Sequence, residues 1–466
     1  MAKHVIILGA GISGLSAAWR LGDNGIKVDL FESNLSVGGL AGTLRENNRC
    51  LDIGPHSFFS HDREIVELIC GLFKHQLKPL PRKVKLYYKG KYIDYPLTVH
   101  SVIFQMGLGS GLRAGLSFLK SRFLPHKRFA ADENNTTVEE WAISHFGEYL
   151  YKSFFKPYTE QFWKVPCAEL SSRSIPTHTR MSFINTLKAL LHQKTSGKKE
   201  SLIEREMCPA YYPDNGFVEI AERIAGLITE KQNHIHLGCT VTNISEHSGG
   251  KMRVIYQYDG QQKEIESDYI ISTIPVSSLA KILSPVLPQA AMASAGKLEY
   301  RPLVVLGMLT PKQKILNCGY LYLLNRPFNR IFEMNEFIGQ AEENILGVEI
   351  PCLRDGAVWN ASKEELFNMC ISSLAEDGFI EPGDVKKLFL IRAPHAYPIY
   401  RQGYATHLNC LLTHLKQYKS LTTLGRCGEF RYMDIDECIK RAFEFVDSCL
   451  LKKAGRSFSE MPGAGL

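Results

Sequence analysis

The first apolar and polar segments of the chain follow the pattern of an α/β unit. Residues 4–32 read as a buried strand, a glycine turn, a helix and a second strand that ends in the acid Glu32. In a βαβ unit that binds a dinucleotide, the turn and the start of the helix receive the phosphates. The segment therefore predicts a dinucleotide site, against the alternative of a glycine-rich turn without a ligand.

The three glycines of this turn have separate physical roles. Gly9 permits a tight turn, Gly11 lets a pyrophosphate approach the backbone, and Gly14 allows close packing of the helix on its strand. Glu32 follows at the end of the second strand, where its carboxylate can bind both hydroxyls of an adenosine ribose.

The pattern farther along the chain predicts two hairpins and several single elements. The hairpins are expected over 84–95 and over 252–274, the second with its turn at Asp259 and Gly260. Residues 97–165 are expected to be largely helical. Further strands are expected near 234–244, 300–310 and 345–350, and further helices at about 217–229, 362–376 and 435–452.

The order of these elements indicates a discontinuous nucleotide domain made of residues 1–80, 210–275 and 420–452. Residues 81–209 are expected to form a mainly helical substrate or cap region, and residues 276–419 a sheet-containing substrate domain. Residues 453–466 have the composition of a tail. The expected fold class is α/β, with a Rossmann-like domain and an inserted α+β substrate domain.

The composition of the 466 residues is that of an ordinary globular enzyme, with 45% hydrophobic and 22% charged residues. A net charge of +7 is too small at this length to indicate a nucleic-acid partner. Neither a transmembrane helix nor a signal peptide is expected, because no apolar run is long enough and the first strand begins at once. The twelve cysteines form no metal-binding pattern, which favours reduced cysteines in a cytoplasmic protein without a metal site.

One segment, residues 111–128, combines regularly spaced leucines with several basic residues. A basic amphipathic helix can lie on a membrane surface. It can also pack on its own domain with its basic face in solvent. Peripheral membrane contact through 111–128 therefore stays an open alternative.

Two more motifs follow Glu32. Residues 37–43 contain the adjacent glycines Gly38 and Gly39, which indicate a backbone lying directly against a phosphate or a cofactor ring rather than an ordinary loop. The second motif is the turn Gly54, Pro55 and His56, which ends a predicted strand and carries a histidine.

Together with later motifs, these segments resemble the flavin-containing amine oxidase superfamily over roughly residues 4–450. Within it, the chain is most similar to the group that spans protoporphyrinogen-oxidase-like proteins and UDP-galactopyranose mutases. The resemblance depends on both glycine motifs and on residues 54–56, 155–163, 330–333, 397–398 and 425–436.

The resemblance implies a Rossmann-like domain of the GR2 type that binds FAD, with the flavin at the junction with the substrate domain. The implied FAD-binding residues are Gly9, Gly11, Ser13, Gly14, Glu32, Gly39, Leu40, Gly54, Pro55, His56, Val241, Gly425, Arg426, Asp434, Ile435 and Asp436. Val241 would present its backbone to the adenine, and the start of the last helix would favour negative charge on the reduced flavin. Leu40 stands where many amine oxidases have an arginine, so one basic phosphate contact is missing.

The resemblance also implies a pocket for a small, polar substrate that is anionic or sugar-like. Its implied members are Tyr158, Trp163, His178, Arg330, Tyr397 and Tyr432, with His56 and Arg330 as catalytic candidates. Tyr158 and Trp163 match residues that hold a nucleotide base in the mutases, and Arg330 matches a diphosphate contact. As alternatives, Tyr158 and Trp163 could be core residues, and Arg330 could form a structural ion pair with Glu333.

One departure separates the chain from the mutases. Where they have an arginine, this chain has His178, which is mostly neutral at pH 7. Losing a charge-assisted phosphate contact would cost about 1.5–3 kcal/mol, unless Arg173 or Arg180 replaces it.

This departure favours an FAD-dependent oxidoreductase, in which a hydride passes to flavin N5 from a C–H next to nitrogen or oxygen. The alternatives are a non-redox mutase that uses reduced FAD on a nucleotide sugar, and a flavoprotein that binds partners without turnover. The exact substrate, the electron acceptor and the oligomeric state are not predicted.

Overall fold

The fold is given by a computed structural model that describes residues 3–80, 84–88, 90–94, 108–123, 136–175, 209–339 and 341–451. The expectations for His178, for Arg180, for the tail at 453–466 and for residues 124–128 of the amphipathic segment lie outside the described residues.

The described residues form both strands and helices, in runs of one to five elements of the same kind. Strands β1 to β20 are His4–Leu8, Lys27–Phe31, Thr43–Glu46, Arg49–Asp52, Lys78–Leu80, Val84–Tyr88, Lys91–Asp94, Ala210–Tyr212, His234–His236, Thr240–Glu246, Met252–Tyr258, Gln261–Ser267, Tyr269–Ser272, Leu283–Ser284, Tyr300–Thr310, Tyr320–Leu323, Arg330–Glu333, Asn344–Pro351, Lys387–Pro398 and Leu421–Thr423. Helices α1 to α14 are Ile12–Gly22, Arg63–Leu72, Leu108–Phe123, Val138–Leu150, Lys156–Trp163, Glu219–Glu230, Val276–Ile282, Gln289–Gly296, Asn335–Ile338, Ala357–Asn360, Lys363–Glu376, Tyr404–Leu415, Gly425–Gly428 and Ile435–Phe445. Both predicted hairpins are present, as β6–β7 and β11–β12.

A parallel sheet carries the first glycine turn, with the strand order β20-β13-β1-β2-β9. Val5 and Ile7 of β1 pack toward the core that includes α1, α6 and α14, whereas Ile6 and Leu8 pack toward the opposite side. Burial on both faces explains why this strand is continuously apolar. The sheet is Rossmann-like and draws strands from separated parts of the chain, while the limits of the domains stay a prediction.

The prediction of a single strand near 234–244 is wrong, because two strands in two different sheets occupy this segment. Strand β9 lies at the edge of the parallel sheet, and β10 belongs to a four-stranded sheet of order β12-β11-β10-β14. Between them, Gly238 has a φ angle of +66°, which turns the chain. The apolar pattern continues through the turn, so it does not reveal the break.

A seven-stranded sheet has the order β19-β15-β18-β17-β16-β6-β7 and takes five of its strands from residues 300–398. One face packs on α11, and the other faces the core shared with the parallel sheet. Strands β6 and β7 come from the region expected to be mainly helical, and β6 pairs in parallel with β16. The candidate site lies on the face of this sheet that is turned toward the parallel sheet.

Candidate active site

The first glycine turn has the geometry that close packing and phosphate binding require. A Cβ atom on Gly14 would lie 2.0 Å from the carbonyl oxygen of Gly9, so no side chain fits there. Gly9 has a φ angle of +97°, which favours glycine. A Cβ atom on Gly11 would meet nothing within 4 Å, so this residue borders open space at the start of α1.

The second glycine motif lies directly against the first turn. The Gly38 N–H donates to the Ala10 carbonyl oxygen at 2.8 Å. A Cβ atom on Gly39 would lie 3.1 Å from the Gly11 Cα atom. The two backbones therefore border one space, with the half-buried Leu40 next in the chain.

The side chain of Glu32 reaches the first glycine turn. Its buried carboxylate accepts hydrogen bonds from the Ala10 N–H at 2.8 Å and from the Asn34 N–H at 2.9 Å. These bonds fix the carboxylate beside the glycine turn, where the sequence predicts the ribose contact.

The last helical segments close this space from the other side. Gly425 has a φ angle of +80°, and a Cβ atom there would lie 2.2 Å from Ser13 Oγ. Asp434 precedes α14, and its N–H donates to Glu437 at 3.0 Å. Ser60 donates to Asp436 at 2.6 Å. Two further predicted cofactor residues are half-buried, Ile435 on α14 and Val241 on β10.

The turn containing Gly54, Pro55 and His56 faces the seven-stranded sheet. Gly54 has a φ angle of +94°, and a Cβ atom there would lie 2.3 Å from Glu349 Oε1. The His56 ring stacks on Phe217, with 5.1 Å between their centroids. Burial, and then the charges of Arg330 and Arg426, lower the pKa of His56 to about 3. The imidazole is therefore neutral at ordinary pH.

Arg330 forms an ion pair with Glu349, which the sequence did not predict. Its Nε and Nη2 atoms donate to the two carboxylate oxygens at 2.9 Å and 2.5 Å, and Glu349 is fully buried. The alternative pair with Glu333 is wrong, because residues three apart in a strand point to opposite faces. Glu333 instead accepts from the Ile315 and Leu316 N–H groups and from Asn344.

Two arginines and three aromatic rings form what we call the arginine–aromatic cluster, namely Phe162, Arg301, Tyr397, Arg426 and Tyr432. The Arg301 Cζ atom lies 4.1 Å from the Phe162 centroid and 4.6 Å from the Tyr397 centroid. The Arg426 Cζ atom lies 4.7 Å from Tyr397 and 4.4 Å from Tyr432. Arg426 also donates to the Ala396 carbonyl oxygen at 2.6 Å. Tyr397 is thus in contact with both cations.

The predicted base-binding residues border this cluster. Trp163 lies 6.2 Å from Tyr397 between ring centroids, and Tyr158 lies 5.5 Å from Tyr322. The Arg330 Cζ atom lies 5.7 Å from Tyr322. The structure therefore brings together Tyr158, Trp163, Arg330, Tyr397 and Tyr432, whose roles toward a substrate stay predictions. Of the two arginines considered as replacements, Arg173 is described, and its buried Nε has no acceptor among the described residues.

A model of the family described as flavin-containing amine oxidoreductase matches residues 12–406 of this chain. The chain belongs to this family. FAD is its cofactor, and its fold is that of the FAD-binding members.

The relatives of this flavoprotein include both mutases and oxidases. A probable UDP-galactopyranose mutase of Klebsiella pneumoniae is 21% identical over 472 residues, which cover 99% of this chain and 97% of that protein. A mitochondrial protoporphyrinogen oxidase of Nicotiana tabacum is 21% identical, with 92% of this chain and 91% of that protein covered. A crystal structure of reduced UDP-galactopyranose mutase has a TM-score of 0.79 at 20% identity, with 99% and 97% coverage. At this identity the structural similarity shows the fold alone.

The described residues fit FAD. The open space beside Gly11 adjoins the N-terminus of α1, whose N-cap makes no side-chain hydrogen bond. Free N–H groups at a helix N-terminus favour a pyrophosphate. Gly39 and Gly425 border this region of the flavoprotein, and a side chain on either would meet neighbouring atoms.

Sequence reasoning missed Arg301, Glu349 and Phe162. The signal for the first two was present, because each is the only charged residue of a mostly apolar strand. Strands β15 and β18 are buried along their whole lengths. A lone charge in such a strand needs a partner or a function.

Proposed function

We propose that this flavoprotein is an oxidoreductase that oxidises a C–H next to nitrogen or oxygen of a polar, anionic substrate by hydride transfer to flavin N5. The observation that carries the proposal is the bidentate pairing of Arg330 with Glu349. A mutase needs Arg330 as a cation for a nucleotide diphosphate. Because Glu349 already neutralises this guanidinium, its attraction for a second anion is weakened. Hydride removal needs orientation and a dry pocket instead.

The side chains of this chain would orient the substrate and exclude water from it. FAD supplies the hydride acceptor. His56 adds no positive charge beside the cofactor, because its pKa is lowered to about 3. Trp163 is buried, and its apolar ring would help to exclude water from the substrate. Tyr397 and Tyr432, held by Arg426, would position the ligand.

The test is an anaerobic titration of the purified yellow protein with amines, porphyrinogens and UDP-sugars. An oxidoreductase substrate bleaches the oxidised flavin band, and the band returns when oxygen or a dye acceptor is added. The proposal is wrong if no compound bleaches the flavin while dithionite-reduced protein isomerises a UDP-sugar.

The second candidate is a mutase that uses reduced FAD on a nucleotide sugar. It is supported by the ring and cation contacts that connect Tyr158, Trp163, Arg330, Tyr397 and Tyr432 with their aromatic neighbours. A mutase would interconvert sugar isomers only after the flavin has been reduced, and the flavin would stay reduced after turnover.

We also propose that helix α3 contacts a membrane surface. Leu112, Leu116 and Leu119 are 68%, 59% and 51% exposed, and they recur at helical spacing. The exposed Arg113 and Lys120 would attract anionic lipid headgroups. No helix in the described part of the chain is both long enough and apolar enough to cross a membrane.

A further inference from the structure

Arg301 is a buried cation without a hydrogen-bond acceptor in the described part of the chain. The residue is fully buried, and its Nε, Nη1 and Nη2 atoms all lack an acceptor there. A guanidinium carries five N–H donors, and leaving a buried charge unpaired is strongly unfavourable. A bound anion that accepts hydrogen bonds from the Arg301 guanidinium would therefore be stabilising.

The neighbours of Arg301 do not supply that anion. The carboxylate of Glu349 is close enough to affect Arg301, but both of its oxygens accept from Arg330. Burial raises the pKa of the Cys352 thiol to about 11, so this neighbour is neutral. Burial and the charge of Arg301 lower the pKa of Lys164, which shows that a further cation is near. None of these neighbours therefore neutralises the charge of Arg301 through a hydrogen bond.

The aromatic neighbours compensate only part of this charge. Arg301 lies in the corner between Phe162 and Tyr397, whose ring planes are inclined by 71°. Ring faces attract the cation but accept no strong hydrogen bond from its N–H groups. The planar fork of donors stays available to an oxyanion, which it can bind with two parallel hydrogen bonds.

We propose that Arg301 is the anchor for an oxyanion of the substrate, a carboxylate or a phosphate, and that Phe162 moves aside to admit it. This inference rests on the proposed function for the identity of the ligand as the substrate. Movement is required because the nitrogen atoms of Arg301 are closed to solvent. Phe162 lies on the eight-residue helix α5 and is only half-buried, so its ring can rotate at a smaller cost than a core ring.

The experiment compares Arg301→Met, Arg301→Lys and the matched control Arg63→Met, an arginine exposed at the start of α2. Thermal unfolding of the FAD-loaded proteins is followed with inorganic phosphate, sodium benzoate or UDP, and dissociation constants come from flavin difference spectra. The benzoate and phosphate arms distinguish a carboxylate from a phosphate ligand.

We expect three results. At least one probe raises the midpoint of wild-type unfolding, and Arg301→Met weakens its binding by about 10-fold or more. Without a probe, Arg301→Met unfolds at a higher temperature than wild type, because an unpaired buried cation has been replaced by an apolar chain. Arg301→Lys binds with intermediate affinity, since it keeps the charge and loses the fork.

The opposite outcomes overturn the inference. If Arg301→Met lowers the unfolding temperature and leaves probe affinity at the level of Arg63→Met, Arg301 only supports the fold. A wild-type protein that responds to none of the three probes also refutes an anion site. If only the proposed function is wrong, no substrate bleaches the flavin, but the effects of the Arg301 variants on unfolding remain.

Discussion

Replacing Glu349 with glutamine tests whether this buried carboxylate stabilises the protein by neutralising Arg330. Glu349 is fully buried and accepts from Arg330 at 2.9 Å and 2.5 Å. Glutamine keeps the size of the side chain and removes its charge, so Arg330 and Arg301 would share a pocket without a counter-ion. Breaking a buried ion pair on one side costs about 3–5 kcal/mol. We expect the free energy of unfolding to fall by this amount.

Urea unfolding, followed by tryptophan and flavin fluorescence, measures the loss. The matched control is Glu169→Gln, which removes a carboxylate from the exposed pair with Arg401 and should cost about 0–1 kcal/mol. The double variant Arg330→Met with Glu349→Leu should recover part of the loss, because both charges leave together. If Glu349→Gln unfolds at the same urea concentration as the control, the charge argument is wrong.

Three other predictions concern separate parts of the molecule. Gly11→Ala should fold normally but retain at least about tenfold less FAD during purification, whereas Gly14→Ala should lower folded yield, because its methyl group would lie 2.0 Å from a backbone oxygen. Burial raises the pKa of Asp29, but hydrogen bonds from two histidines outweigh it and hold this pKa below the usual 3.8. The Asp29 carboxylate therefore stabilises the fold above pH 3.8, and this stabilisation is lost as the pH falls. In urea titrations at several pH values, Asp29→Asn should reduce this acid sensitivity. Leu112→Glu with Leu116→Glu should decrease co-sedimentation with anionic vesicles, and unchanged binding would exclude α3 as the contact.

The cofactor region could be predicted from the sequence because its requirements are local. Gly9 and Gly425 need positive φ angles, and Gly14 lies where any side chain would collide with backbone. The φ angles of Gly9 and Gly425 belong to the turns themselves, and the atom that a Gly14 side chain would meet is the carbonyl oxygen of Gly9 in the same turn. The sequence pattern thus indicates the glycine turns before any tertiary contact is known.

The charges of the pocket depend on strand pairing between distant segments. Arg330 lies opposite Glu349 in the register of β17 and β18, and Arg301 lies opposite Tyr397 in β15 and β19. Neither register follows from spacing along the chain. The apolar strands predict burial, but they do not say which strand brings a counter-ion and which does not.

The pairing of Arg330 with Glu349 also gives a way to distinguish the two candidate reactions. A diphosphate that binds Arg330 must compete with Glu349 for the same guanidinium, whereas an oxyanion at Arg301 competes with no carboxylate of the described residues. Glu349→Gln should therefore strengthen UDP binding even though it weakens the fold, because it frees a cation that can contribute about 1.5–3 kcal/mol to a phosphate contact. Titration of UDP by flavin difference spectra, with Glu169→Gln as the control, measures this gain. If UDP binds equally well to both variants, Arg330 is not the residue that limits diphosphate affinity, and the charge argument against the mutase loses its basis.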